Sequence, residues 1–267
     1  MKLSLKGCTA LVTGSSHGIG LEIVSSLASE GADLIICGRQ AAALEKTKSE
    51  IEKMGVHVDV SCVDATDPKS VKKLFDHVVQ KIGRLDILVN NVGGAEKFGS
   101  FFDLSNDDWQ RAYALNFMSM VYFTRESIPF LKRSKQASII NISSIPAHQP
   151  GWFNPHYSTS KAAMLNLSKH LANLLAKDNI LVNTICPGTL NGGGWERNIR
   201  HKAERLGLSF EQAEKLMKKE EEAKVPLNRI GGPEDIASMV VFLTSERARF
   251  ITGECINIDG GVTRSIL

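Results

Sequence analysis

Closely spaced cysteines are missing from this chain. Its five (Cys8, Cys37, Cys62, Cys186 and Cys255) are odd in number and scattered, mostly in apolar strand-like runs, and no two form a CxxC unit. Neither a disulfide framework nor a zinc site is therefore indicated. Long hydrophobic runs are missing too, since no stretch reaches the roughly 18 apolar residues of a membrane span. The short run Cys8–Val12 leads straight into Gly14, so no signal-peptide core is expected. Charge of one sign is equally scarce. The net charge is +3, and the one dense run, Lys218-Lys219-Glu220-Glu221-Glu222, mixes signs. No basic stripe with interleaved aromatics exists, so neither nucleic acid nor an anionic membrane is an expected partner. A reducing, cytoplasmic compartment is the expected setting.

What is present is an ordinary globular composition, 43% hydrophobic and 23% charged over 267 residues, enough to bury a full core. Short apolar runs alternate with amphipathic helical stretches. Strands are expected at Thr9–Val12, Leu34–Cys37, Val56–Val63, Ile87–Val89, Ser138–Ile142, Leu181–Ile185 and Ile256–Ile258. Helices are expected at Leu21–Ser29, Ala41–Met54, Pro68–Ile82, Leu104–Ser127, His156–Ala176 and Pro233–Leu243. Continuous rather than alternating apolar strands, each followed by a helix, mean a parallel sheet covered on both faces. One doubly wound α/β domain of the Rossmann type over residues 1–267 accounts for all of it.

One segment breaks the rhythm. About residues 189–226 hold no strand and are rich in Lys and Glu, with one or two amphipathic helices from His201 to Lys224 after a hinge at Gly192-Gly193-Gly194. An insertion at a strand's C-terminal end sits where such sheets bind ligands, so it reads as a helical substrate lid. A solvated helical decoration or an oligomer contact is the alternative.

The run Thr13-Gly14-Ser15-Ser16-His17-Gly18-Ile19-Gly20 follows the first strand and opens the first helix. Glycines there let backbone approach a pyrophosphate, and the helix N-terminus offers free N–H groups. Gly14, Ser16, His17, Gly18, Ile19 and Gly20 are the expected contacts. The second strand ends in Gly38-Arg39, where an NAD-preferring site would hold a carboxylate. A guanidinium suits a 2′-phosphate, so Arg39 predicts NADPH over NADH, unless it is a solvated loop arginine. Asp64 and Ala65 at the third strand's end are expected near the adenine. Asn90, Asn91 and Gly93 after the fourth are expected near the ribose, although all could serve as turn residues.

Tyr157 and Lys161, four apart, share a helix face. A free phenol is a poor base at neutral pH, and a neighbouring ammonium is expected to lower its pKa. Tyr157 would then donate a proton to a carbonyl oxygen as hydride reaches the carbon. Lys161 could also hold the nicotinamide ribose. Ser144, at the end of the fifth strand, can hydrogen-bond the same oxygen. Asn116 is an odd helix-interior residue without a task. Tyr157, Lys161 or Ser144 alone would be ordinary surface groups; the combination carries the reading.

That combination resembles the short-chain dehydrogenase/reductase family over essentially the whole chain. The matching pieces are Thr13–Gly20, Asn90–Gly93, Asn116, Ser144, the Tyr157/Lys161 pair, Asn183–Gly188 and Asp259-Gly260-Gly261. The resemblance implies a catalytic tetrad of Asn116, Ser144, Tyr157 and Lys161, with Asn116 supporting a proton relay through water to Lys161. It also implies nicotinamide contacts at Pro187, Gly188 and Thr189, a small-molecule carbonyl or alcohol substrate, and a homotetramer. His17 stands where many NADP-preferring members carry Arg or Lys, and Val92 replaces the usual alanine.

Ile145, His148, Trp152, Phe153, Pro155, Gly94, Ala95 and Trp195 are expected to line the substrate pocket. Lys132, Arg133 and Lys135 could meet an acidic carrier protein, as a 3-oxoacyl-carrier-protein reductase would require. A polyol, sugar, steroid or aromatic ketone stays open. So do a non-catalytic NADPH-binding regulator on the same fold and non-redox chemistry on a bound cofactor.

Overall fold

The computed structural model describes residues 3–192 and 194–265. Gly193, in the expected hinge, lies outside the described residues. Seven strands form one parallel sheet: β1 Thr9–Thr13, β2 Asp33–Gly38, β3 Val58–Cys62, β4 Ile87–Asn90, β5 Ser138–Ile142, β6 Leu181–Pro187 and β7 Cys255–Ile258. Their spatial order is β3-β2-β1-β4-β5-β6-β7. The chain winds outward from β1 in one direction, then crosses back to β4 and winds in the other. The reversal opens a crevice at the C-terminal ends of β1 and β4, with Leu11 paired to Ile35 on one side and Leu88 on the other.

The continuous apolar runs follow from burial of both faces. On β2, Leu34 and Ile36 enter one core together with Ile23, Leu27 and Val240, while Ile35 and Cys37 enter the opposite core with Leu74, Phe75 and Phe123. Helices α1 (Gly18–Ser29) and α2 (Ala41–Ile51) follow the first two strands. Pro68 starts α3 (Pro68–Leu74), and Asp67 caps it by accepting from the Lys69 and Ser70 N–H groups at 3.0 and 3.2 Å. A π-turn at Phe75–Val79 carries that helix into α4 (Gln80–Ile82).

The expected helix Leu104–Ser127 is not one regular helix. It is α5 (Asn106–Tyr113), a π-turn at Ala114–Met118, and α6 (Ser119–Leu131). Helix α7 (Pro155–Leu175) then leads to β6. The Lys/Glu-rich segment folds as two helices, α8 (Trp195–Leu206) and α9 (Phe210–Glu222), the first beginning six residues before the expected start. They enclose a small core of their own, Trp195, Ile199, Ala213 and Met217, separate from the two sheet cores. Helix α10 (Pro233–Thr244) completes the set. Among the described residues no helix is long and apolar enough to cross a membrane.

Candidate active site

The crevice is a cleft of about 630 Å³ running from the glycine-rich turn after β1, past β2 and β4, to the N-terminal turn of α7 and the start of α8. Its first wall is made of backbone. Gly14 and Gly18 have φ of +66° and +56°, so the turn reverses through conformations that side-chain-bearing residues rarely adopt. A Cβ on Gly20 would stand 2.2 Å from the Gly14 carbonyl oxygen. Asn91 fastens the turn to β4, its Nδ2 donating to the Thr13 and Gly14 carbonyls at 2.9 and 3.0 Å. The Thr13 hydroxyl accepts from the Asn91 and Val92 N–H groups at 2.9 and 3.1 Å. No side chain caps α1 and its first turn holds no acidic residue, so its leading N–H groups face the cleft unclaimed by the described residues.

Gly14, Ser16, His17, Gly18, Ile19 and Gly20 all line this end. So do Arg39, Asp64 and Ala65. The Arg39 guanidinium makes no hydrogen bond or ion pair with the described residues, although its charge helps to hold Asp64 low. Most of that lowering comes from Thr66, whose N–H and hydroxyl donate to Asp64 Oδ1 at 2.9 and 2.7 Å. Asn90 does not reach the ribose region expected of it. Its Nδ2 is buried between Thr124 Oγ1 and Asn141 Oδ1 at 3.1 and 2.8 Å, because β4 alternation turns its side chain into the sheet's core layer.

The second wall gathers the reactive side chains. Asn154, in the left-handed region at φ 55°, fixes the start of α7: its N–H donates to the Gly99 carbonyl at 2.8 Å, and its Oδ1 accepts from the Gly99 N–H at 3.0 Å. Pro155 follows at the first helical position. Tyr157 and Lys161 then line the cleft together with Ser144, and so do Pro187, Gly188 and Thr189. Lys161 is 2% exposed, and its Nζ donates to the Ile142 carbonyl at 2.8 Å and lies 5.9 Å from the centre of the Tyr157 ring. Ser143, next to Ser144, is occupied elsewhere, its hydroxyl donating to the Lys161 carbonyl at 3.2 Å.

Asn116 lies behind this wall, fully buried inside the π-turn. Its Oδ1 accepts from the Gly94 N–H at 2.8 Å, and its Nδ2 donates to the Gly94 and Ala112 carbonyls at 3.0 and 2.9 Å. It thereby ties the β4 loop to the bulged helix. A Cβ on Gly93 would lie 2.7 Å from both Asn116 Oδ1 and Lys161 Nζ, so a larger residue there would displace one of these side chains. The other π-turn, at Phe75–Val79, has no such neighbour; a π-turn by itself does not mark a site.

The electrostatics differ from the sequence expectation. Burial pushes Lys161 down to about 8. Tyr157 is raised rather than lowered, also by burial, while the Ser144 hydroxyl and the Arg197 guanidinium pull it the other way. The expected depression by Lys161 is not seen: burial is the largest influence on the phenol, and the groups that oppose it are Ser144 and Arg197. At neutral pH Tyr157 is a protonated phenol.

Of the expected substrate-pocket residues, Ile145, Phe153, Gly94, Ala95 and Trp195 line the cleft. His148 and Pro155 do not, and Trp152 is 76% exposed. Phe98 and Arg197 are among the lining residues that escaped the sequence reading. Phe98 stacks on Phe153 with centres 6.2 Å apart, and Arg197 of α8 lies 5.6 Å from the Phe98 ring centre. Arg197 forms no ion pair with the described residues, and no sequence signal separates it from the other charges of that segment. Lys132 and Arg133 of the basic cluster have partners within the chain, Asp178 at 3.0 Å and the Phe130 ring at 4.8 Å.

A family model described as enoyl-(acyl carrier protein) reductase matches residues 14–263. The uncharacterized oxidoreductase YvaG of Bacillus subtilis (strain 168) is 36% identical over 266 residues, covering 100% of both chains. The 3-oxoacyl-[acyl-carrier-protein] reductase FabG of Aquifex aeolicus (strain VF5) is 32% identical, covering 98% of this chain and all of its own. Among solved structures, L-sorbose reductase from Gluconobacter frateurii, complexed with NADPH and L-sorbose, superposes with a TM-score of 0.93 at 32% identity over the full length of both chains. With this coverage and the site geometry, the chain belongs to the short-chain dehydrogenase/reductase family, oxidoreductases acting on CH–OH groups.

Proposed function

We propose that this protein is an NADPH-dependent oxidoreductase that interconverts a ketone and a secondary alcohol, with Tyr157 as the acid and base. One observation carries the reading: a single cleft joins the glycine-cradled N-terminus of α1 and the unpaired Arg39 to the cluster of Ser144, Tyr157 and Lys161. The cradle fits a dinucleotide. The α1 N–H groups would hold a pyrophosphate and Arg39 a 2′-phosphate, while Asp64 and Ala65 would serve the adenine end and Asn91 and Gly93 the ribose. Pro187, Gly188 and Thr189 would hold the nicotinamide end. When bound there, the nicotinamide supplies or accepts the hydride.

The chain's own residues handle the proton. In reduction the Tyr157 O–H donates to the substrate carbonyl oxygen, which Ser144 Oγ also holds. The raised pKa of Tyr157 keeps that proton in place at neutral pH. The phenolate left behind is steadied by the Ser144 hydroxyl and by the charge of Arg197. Lys161 is also within reach of a ribose hydroxyl once its hydrogen bond to Ile142 is exchanged. We assign Asn116 a positioning role: both ends of its carboxamide are engaged by backbone, which fixes Gly93 and Gly94 opposite Lys161. A water relay to Lys161 would then draw on the backbone of the π-turn, where the regular helical ladder is interrupted.

The substrate site is two-sided. Phe98 and Phe153 offer an apolar wall, and Arg197 offers a cation at the lid. A ketone with an apolar body and a polar or anionic end suits both. The segment 189–226 acts as the lid, its helices held together by their own core. A homotetramer belongs to the same proposal, since Leu174 on α7 and Phe250 stand exposed and would be covered; light scattering at a monomer's mass would remove it.

Tyr157→Phe tests the assignment. It keeps the ring and removes the proton, so turnover of ketones with NADPH should fall about 10²–10⁴-fold. Cofactor binding, read by quenching of protein fluorescence, should persist. Unchanged turnover would overturn the mechanism.

A further inference from the structure

The chain carries three soft ligand groups that no part of the proposed reaction uses. Cys186 on β6 and Cys255 on β7 belong to neighbouring parallel strands, in which Thr184 pairs with Cys255. Side chains two residues apart on a strand share a face, so Cys186 stands diagonally opposite Cys255 on the same side of the sheet. The other side is taken by Ile185, Ile256 and Ile258, which enter the core shared with α1 and α10. The two sulfurs are 3.2 Å apart. His148, in the turn after β5, brings a ring nitrogen into the group, and the three ligand atoms all lie within 4.8 Å of one another. Cys186 is fully buried, whereas Cys255 and His148 are exposed, so an ion can enter from solvent.

These distances are close to those a tetrahedral ion requires. With Zn–S near 2.3 Å and Zn–N near 2.0–2.1 Å, tetrahedral angles set the donor atoms roughly 3.5–3.8 Å apart. The sulfurs need to separate by about half an ångström, and the imidazole needs to move in by at most about 1.3 Å. Side-chain rotation at an exposed loop histidine and at an edge strand supplies both movements. Two thiolates and an imidazole match zinc's preference, and the exposure of Cys255 and His148 leaves room for water as the fourth ligand.

We propose that Cys186, Cys255 and His148 form a binding site for one zinc-class divalent cation, completed by water. Binding replaces two thiol protons: Zn²⁺ and two R–SH give two Zn–S bonds and release two H⁺, while His148 donates a lone pair as neutral imidazole. The site lies against the proposed active site, because Cys186 directly precedes Pro187 and its thiol meets the Ser143 hydroxyl and the Ser144 backbone. The site is a property of these three side chains and stands or falls independently of the proposed reaction.

The test uses the full chain, reduced with a phosphine and stripped of metal, and titrated with Co²⁺ and then Zn²⁺. The expected result is one ion per chain, with intense thiolate-to-cobalt charge-transfer absorption that zinc abolishes. Cys255→Ser should remove that absorption. His148→Ala should weaken binding at least about tenfold, since even outer-shell partners of a metal are worth that much. Cys62→Ser, a change at an exposed cysteine far along the chain, should alter neither. Circular dichroism of each metal-free variant checks that it folds. No thiolate-to-cobalt band in the wild type, a band that survives Cys255→Ser, or one lost in Cys62→Ser overturns the proposal.

Discussion

The two walls of the cleft are built on different principles. The cofactor-facing wall is backbone: positive-φ glycines, an uncapped helix start, and Asn91 stapling the turn to β4. The opposite wall is side chain: Tyr157, Lys161 and Ser144, continued toward α8 by Phe98, Phe153 and Arg197, the last presented by a helix that rests on a small core of its own. A backbone wall tolerates few changes and selects a chemical class. A side-chain wall can be revised residue by residue without disturbing the sheet, and selects among substrates.

The sharpest way to probe that division is Lys161, a buried cation of the side-chain wall. Lys161→Met should abolish most turnover, about 10²-fold or more. It should also stabilise the fold, because burial of the ammonium disfavours its charged form. The folded-state pKa is about 8 against an ordinary 10.5, so the unfolded chain binds more protons between those values. Wild-type stability therefore rises with pH across that window, and the slope should vanish in the variant. At pH 7 the thermal midpoint of Lys161→Met should rise by about 2–4 °C, read by calorimetry; a fall would show that the lost bond to Ile142 outweighs desolvation.

Arg39→Asp comes next in size. It should reverse cofactor preference by about 10–100-fold in kcat/KM, the worth of a charge-assisted hydrogen bond replaced by repulsion. A wild type that already prefers NADH would remove this assignment. Arg197→Met should act least, raising KM several-fold for substrates with an anionic end, by roughly 1 kcal/mol, and sparing neutral ones. If it lowered kcat for all ketones alike, Arg197 would belong to the proton-transfer machinery and the two-wall contrast would fail.

Much of the fold was legible because burial on both sheet faces leaves continuous apolar strands, and β5 matches its expected bounds at both ends. The interruption of the helix around Asn116 was not legible. The π-turn there is accompanied by long-range bonds of the Asn116 carboxamide to Gly94, which no local periodicity records. Asn90 misled for the related reason that strand alternation, not residue type, decides which way an amide faces. The depression of Tyr157 by Lys161 failed because i, i+4 spacing sets proximity, whereas burial sets the sign.

By itself the sequence determined the parallel architecture, the glycine turn, and the helix face shared by Tyr157 and Lys161, since all three follow from local sterics and periodicity. Only the tertiary structure decided the charge states in the cleft, the presence of Arg197 beside Phe98, and the meeting of His148, Cys186 and Cys255. Those depend on dehydration and on distances between segments far apart in the chain. A cysteine spacing that excludes a local zinc motif says nothing about sulfurs brought together by neighbouring strands.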